Sequence, residues 1–175
     1  MPSRKTVVAA LAVFAVAVAL SGTACKGKSA GEAFAEKRLE NMMEKASGGK
    51  VDLNLKDGTV KVKTADGSSV LTTGEQKWPE DLPGEAIALD PTKVRAVVRS
   101  DDENGKQWSI HIFGFGEDVL EQYSAKLKAA DWDIQSNVSM GKGGMISAVK
   151  GSLQVHLIVN VEDKTGSISF RRDKE

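Results

Sequence analysis

From Val51 onward, apolar residues recur at every second position, and short turn signals cut the runs. This period constrains the fold more than any other feature. Successive side chains on a strand point to opposite faces, so alternation makes one apolar face and one polar face. Val51, Leu53 and Leu55 alternate with Asp52, Asn54 and Lys56, and Val60 and Val62 alternate with Lys61 and Lys63. Asp57-Gly58 is a strong two-residue hairpin signal, because both turn positions tolerate positive φ. Asp66-Gly67 turns the chain again, and residues 70–73 make a third short strand. A helix is expected just before this meander. Ser29-x-x-Glu32 fits a capping box. Ala35, Leu39, Met42, Met43 and Ala46 form a stripe at three- and four-residue spacing, and Gly48-Gly49 ends it. The methionine pair reads as gap-filling packing rather than a soft ligand-binding face.

Residues 74–91 interrupt the pattern. Trp78-Pro79-Glu80-Asp81-Leu82-Pro83 holds two of the four prolines. Proline cannot donate to a sheet ladder and restricts the residue before it, so an extended linker is expected here. Trp78 is read as pinning that linker onto the core. The pattern then resumes. Val94, Ala96 and Val98 alternate with Arg95, Val97 and Arg99, and Asn104-Gly105 turns into a strand over 107–115. Residues 117–130 predict a helix, with Glu117 and Asp118 where the helix dipole favours anions. Its stripe is Leu120, Tyr123, Leu127 and Ala130, with Val119 alongside, and Asp131 stands at the position where a glycine often ends a helix. Trp132, Ile134 and Val138 start a strand. Residues 145–150, 153–161 and 167–171 read as three more, with turns at Gly151-Ser152 and at 163–166.

The expected fold is therefore α+β. An N-terminal amphipathic helix carries a three-stranded β-meander. A mostly antiparallel sheet in the order ββα-ββββ follows, with one helix packed on it. The domain boundaries read as 1–24, a signal; 25–30, an anchor and tether; 31–74, the helix and meander; 75–92, a linker; and 93–175, the α+β domain.

The N-terminus supplies an address. Arg4 and Lys5 precede an unbroken apolar run of 14 residues, Val7 to Leu20, followed by Ser21-Gly22-Thr23-Ala24-Cys25. A spanning helix needs about 20 apolar residues, so this run is too short to span and suits the core of an export signal. Two processing readings stand. A signal peptidase cuts after Ala24, or Cys25 is diacylated on sulfur and becomes the new N-terminus. The second is favoured. Cys25 is the single cysteine, and an unpaired thiol is a liability in an oxidising compartment. The site resembles a bacterial lipobox, although Gly22 stands where such sites carry leucine or a similar residue. More than one acyl chain gives stable anchoring. Lys26 directly after the cysteine points to the outer rather than the inner membrane. Lys26 and Lys28 read as solvated tether charges rather than lipid-headgroup contacts.

Charge excludes one class of partner. The chain has 24 basic and 24 acidic side chains, and removing residues 1–24 takes Arg4 and Lys5 and no acid. The remainder is slightly acidic, which is no footprint for nucleic acid. Aromatic residues are 5% of the chain, so the core must rest on Val, Ile, Leu and Ala.

Four motifs carry a resemblance over the part that follows the signal. They are Ala46-Ser47-Gly48-Gly49-Lys50-Val51-Asp52, Lys56-Asp57-Gly58-Thr59-Val60, Trp78-Pro79-Glu80-Asp81-Leu82-Pro83 and Leu127-Lys128-Ala129-Ala130-Asp131-Trp132. On these the chain resembles a group of uncharacterised bacterial lipoproteins carrying a domain of unknown function. The resemblance implies the same boundaries and an envelope address, and it implies no activity.

The two histidines are the best chemical lead. His111 lies opposite in phase to Trp108, Ile110 and Ile112, and His156 opposite to Leu153, Val155 and Leu157. Both are expected on the sheet face away from the helix. Zinc needs at least three protein ligands, and no third histidine or free thiol exists, so two polar residues on a solvated face is the favoured reading. Phe113, Phe115 and Ile158 are expected on that face too, where they invite a partner or cover from the helix-meander unit. Asp101-Asp102-Glu103-Asn104-Gly105 misses the spacing of an EF-hand loop and reads as a hairpin tip. Gly141-Lys142-Gly143-Gly144 is not a P-loop: Ser136 stands at the first glycine and Gly143 where Ser or Thr should hold magnesium. No nucleophile, base and oxyanion site assemble in the sequence. The expectation is a lipid-anchored, non-enzymatic envelope protein with no cofactor, which acts as an interaction module. It reaches the membrane through a diacylglyceryl group on Cys25, and its partner is another envelope protein. The alternative is a small-ligand or metal-binding lipoprotein using the His111/His156 face or the groove between the two units.

Overall fold

The computed structural model describes residues 30–54, 57–89 and 93–174. The signal, Cys25 and the expected cap at Ser29 lie outside them. The architecture is α+β, with two helices and nine strands among the described residues. The chain divides between Thr73 and Gly74 into two compact units.

The first unit contains helix α1 (Ala30–Ser47) and strands β1 (Lys50–Asn54), β2 (Thr59–Thr64) and β3 (Gly67–Gln76), the last of which runs across the division. The strands form an antiparallel meander. Val51, Leu53, Val60, Val62 and Leu71 are buried, whereas Asp52, Lys61 and Lys63 face solvent. The alternation read from the sequence therefore selects the faces. The turns differ in detail. The last pair of β1 and β2 is Asn54 with Thr59, so the strands do not close directly on a two-residue Asp57-Gly58 turn. Leu55, expected in the strand, lies outside the described residues. The second turn is Ala65-Asp66, one residue earlier than expected, since Thr64 already faces Gly67.

Helix α1 ends at Gly48, which takes φ +67° and donates to the Glu44 carbonyl at 2.9 Å. Its carboxylates then protect the sheet. Glu44 accepts from the Val51 amide at 3.2 Å, and Glu40 accepts from the Leu53 amide at 3.0 Å. The spacing explains the match. Four residues along a helix rise about 6 Å, and two residues along a strand about 6.8 Å. Two carboxylates one turn apart thus satisfy two successive outward amides of an edge strand, a place where open backbone groups invite pairing with another chain.

The second unit contains β4 (Lys93–Asp102), β5 (Gly105–Phe113), α2 (Val119–Ala129), β6 (Asp133–Met140), β7 (Gly143–Lys150), β8 (Leu153–Asn160) and β9 (Thr165–Asp173). Its strand order is β4-β5-β9-β8-β7-β6, with antiparallel pairing throughout. One face holds the core, built on Ile110, Ile146, Val155, Leu157, Ile168 and Phe170.

Six strands at about 4.8 Å spacing make a sheet about 24 Å wide. One helix, about 10 Å across, cannot cover it. α2 packs on β6 and β7 and buries Val119, Tyr123 and Leu127. The remaining core face is covered by the stretch expected as a linker. Trp78, Leu82, Ala86 and Ile87 pack against the core, and Leu89 is part of it. This stretch has no regular secondary structure, but it belongs to the second unit as a strap.

α2 ends as its sequence suggests. Asp131 takes φ +55°. The Trp132 amide donates to the Leu127 carbonyl at 3.0 Å, and the Asp131 amide to the Lys128 carbonyl at 3.1 Å. These two bonds are the Schellman arrangement. Lys150 adds a bond from Nζ to the Ala130 carbonyl at 2.6 Å, placing a cation at the negative end of the helix dipole.

Two β-bulges change which residues face inward. A bulge adds one residue to one strand and so inverts the phase beyond it. In β4 the register shifts between Val94 and Ala96, so Val94 and Val97 are buried while Ala96 and Val98 are only half-buried. This corrects the expected alternation of Val94, Ala96 and Val98. In β6 the shift lies between Ile134 and Ser136. Ile134 pairs with the buried Ala148 before the bulge, and Val138 pairs with Met145 on the opposite face after it. Phe115 is a further correction. It was expected on the histidine face, but Gly114 at φ +81° turns the chain beyond the end of β5, and Phe115 enters the core at 3% exposure.

Candidate functional site

The second unit offers three features that function can use: the outer sheet face, a groove beside α2, and the strap.

The outer face carries both histidines, as expected. Pairing places His111 of β5 beside Ser167 of β9, and His156 of β8 beside Ser169 of the same strand. One strand separates them, with an offset of two residues. At the spacings of a sheet this puts their backbones about 12 Å apart. The positions between and around them hold Ser109, Ser167, Ser169, Ser147 and Ile158, none of which is a carboxylate or thiol. Among the described residues, no three or more of His, Cys, Asp and Glu cluster to hold a metal ion. His111 is half-buried, and burial lowers its pKa below the ordinary 6.5, which favours the neutral imidazole at pH 7. His156 is exposed.

Further along this face, the β6 bulge turns Val138 and Met140 outward, beside Met145 and Ile158 on β7 and β8. Val138 is 38% exposed, Met140 65% and Ile158 55%. The sequence shows these residues as apolar but does not reveal that they share the solvent side, because the bulge leaves no compositional mark. Ile158 alone was read onto this face.

The groove has a volume of about 610 Å³ and runs along α2 from Glu117 to Lys128, beside the facing ends of β6 and β7. Glu117, Asp118 and Glu121 make an acidic rim, and Ser124, Asn137 and Ser139 present hydroxyl and amide groups. Asn137 Nδ2 donates to Ser124 Oγ at 3.2 Å. This is again a product of the bulge, which turns Asn137 toward the helix. The sequence marks Glu117 and Asp118 only as helix N-terminal residues and gives Glu121 no role, and nothing in their spacing signals a groove.

The strap is fixed through Asp81. Trp108 Nε1 donates to Asp81 Oδ2 at 3.0 Å, and Arg99 Nε donates to both carboxylate oxygens at 3.0 and 3.1 Å. Burial alone raises the Asp81 pKa. Hydrogen bonds from Trp108 and Arg99, with the Arg99 charge, outweigh burial and hold it below the ordinary 3.8. A carboxylate with a depressed folded pKa contributes stability that is present above the unfolded value and lost as pH falls through the folded one. The strap contact is therefore expected to hold at neutral pH and to loosen below pH 3.8. Tryptophan fluorescence against pH checks this: the chain should show an acid transition that Asp81→Asn lacks. An unchanged transition in that variant would remove Asp81 as its cause.

The hairpin tip reads as expected. Asp102 Oδ1 accepts the Asn104 and Gly105 amides at 2.8 and 3.1 Å, and Asp101 pairs with Lys106 and Lys174. Gly141-Lys142 is the turn between β6 and β7, where Lys142 pairs with Glu162.

Comparison with known proteins finds no matching family model, no matching curated protein and no matching solved structure. No helix among the described residues is long and apolar enough to cross a membrane.

Proposed function

We propose that the chain is a lipid-anchored protein of the bacterial cell envelope, of the kind its motifs resemble, acting there as a non-enzymatic interaction module. The address rests on the sequence from Thr6 to Cys25, with diacylation of Cys25 and an outer-membrane position indicated by Lys26. The working scaffold is the ββα-ββββ unit, preceded by the amphipathic helix and its meander. The observation that carries the interaction role is the outward patch of Val138, Met140, Met145 and Ile158 on a sheet face. Apolar side chains grouped on a sheet face suit contact with another macromolecule, whereas small ligands are usually held in concave pockets.

The test is cross-linking in cells followed by purification in mild detergent, with Cys25→Ala as the control. An envelope protein recovered in near-stoichiometric amount from the anchored chain, and lost from Cys25→Ala, is the expected result. Cys25→Ala should also leave the membrane pellet. If that variant stays in the pellet, the lipid anchor is wrong. If the anchored chain yields no partner, the interaction role is wrong.

A further inference from the structure

The two end strands β1 and β6 are treated differently. β1 has its outward amides at Val51 and Leu53 occupied by Glu44 and Glu40. β6 stands at the end of its strand order, and among the described residues no hydrogen bond reaches the backbone on its outer side. Edge strands are commonly blunted by lysine, proline or inward charge. Beyond its bulge, β6 reads Ser136-Asn137-Val138-Ser139-Met140, with no charge and no proline. Unpaired amides and carbonyls in a row are matched by one kind of occupant, another extended strand.

We propose that this edge pairs antiparallel with β6 of a second copy of the chain, about a two-fold axis near Val138. Self-pairing fits the residues. With that axis, Val138 faces its own copy and Met140 faces Ser136. Among residues 136–140 of the two strands no like charges face each other, an arrangement that would be destabilising. The side chains on each face continue across the junction, so the two patches of Val138, Met140, Met145 and Ile158 become one. Only five residues of each copy take part, so the contact is far smaller than the ~1,000 Å² of a durable interface. The dimer is weak and depends on concentration. The inference deepens the proposed interaction role by naming one partner, but it rests on backbone pairing and needs no lipid anchor.

Sedimentation equilibrium of the full chain in density-matched detergent tests it. The mass should rise from one copy toward two with concentration. V138K/M140K should remain at one copy at every concentration, with an unchanged melting temperature because both positions are exposed. Met42→Lys, at a position expected to pack in the α1 stripe but 64% exposed, should still dimerise. Hydrogen exchange gives a measurement that needs no variant: the amides of Asn137 and Ser139, which point away from β7 because the Val138 backbone faces it, should become more protected as the wild-type chain is concentrated. A wild-type mass fixed at one copy, a V138K/M140K dimer, or β6 protection without a rise in mass overturns the proposal. The last result would assign the edge to a different strand. A monomeric chain leaves the envelope role to its own cross-linking test.

Discussion

Tyr123→Ala is expected to lower the unfolding free energy by about 3–5 kcal/mol, the range for truncating a buried aromatic residue. Tyr123 is fully buried in the face of α2 that meets the sheet. Its hydroxyl donates to the Ile87 carbonyl at 3.0 Å and so ties the strap to the helix. Burial pushes the phenol well above its ordinary pKa of 10, so it stays a neutral donor throughout the range in which the protein is handled. Tyr123→Phe keeps the ring and removes only this bond. It should cost about 1 kcal/mol and speed protease cleavage within the strap. Denaturant titrations of the two variants separate packing from the hydrogen bond. Equal losses in both would mean that the hydroxyl, not the ring, carries the contact.

Gly144→Ala is the second change with a large expected effect. A Cβ there would lie 2.4 Å from the Val138 carbonyl oxygen and 2.5 Å from Leu120 Cδ1. Leu120 can rotate away, but the carbonyl belongs to the paired strand and cannot. Either β6 and β7 separate or α2 lifts, at a cost of about 1–3 kcal/mol for overpacking. Gly84→Ala is the matched control. Nothing lies within 4 Å of a Cβ at that position, and its φ is not in the left-handed region. It should be neutral or stabilise by up to about 1 kcal/mol, because alanine restricts the unfolded chain. Thermal melts of the pair check the sign. If Gly144→Ala were as well tolerated as Gly84→Ala, α2 would not be seated on Gly144.

Both variants probe contacts that periodicity does not reveal. The alternation marks Ile110, Ile112, Val155 and Leu157 as core, and they are buried. It fails at Val138 for a definite reason. One inserted residue in β6 inverts the phase, and the sequence around Gln135 carries no proline or glycine to announce it. The same inversion sends Asn137 to the groove. His111 and His156 were legible as a shared face because their strands are regular there. The 12 Å between them was not, since it depends on β9 inserting between β5 and β8 although it comes last in the chain.

By itself, then, the sequence determined what is local. It set the strand period, the stop of α1 at Gly48 and the left-handed end of α2 at Asp131. These depend on backbone preferences within a few residues. Only the tertiary structure decided what depends on residues far apart. It made residues 77–89 a strap, because one helix is too narrow for six strands, and it anchored that strap at Asp81 through Trp108, 27 residues away. It also left β6 open while closing β1, because helix carboxylates reach one edge and nothing described reaches the other.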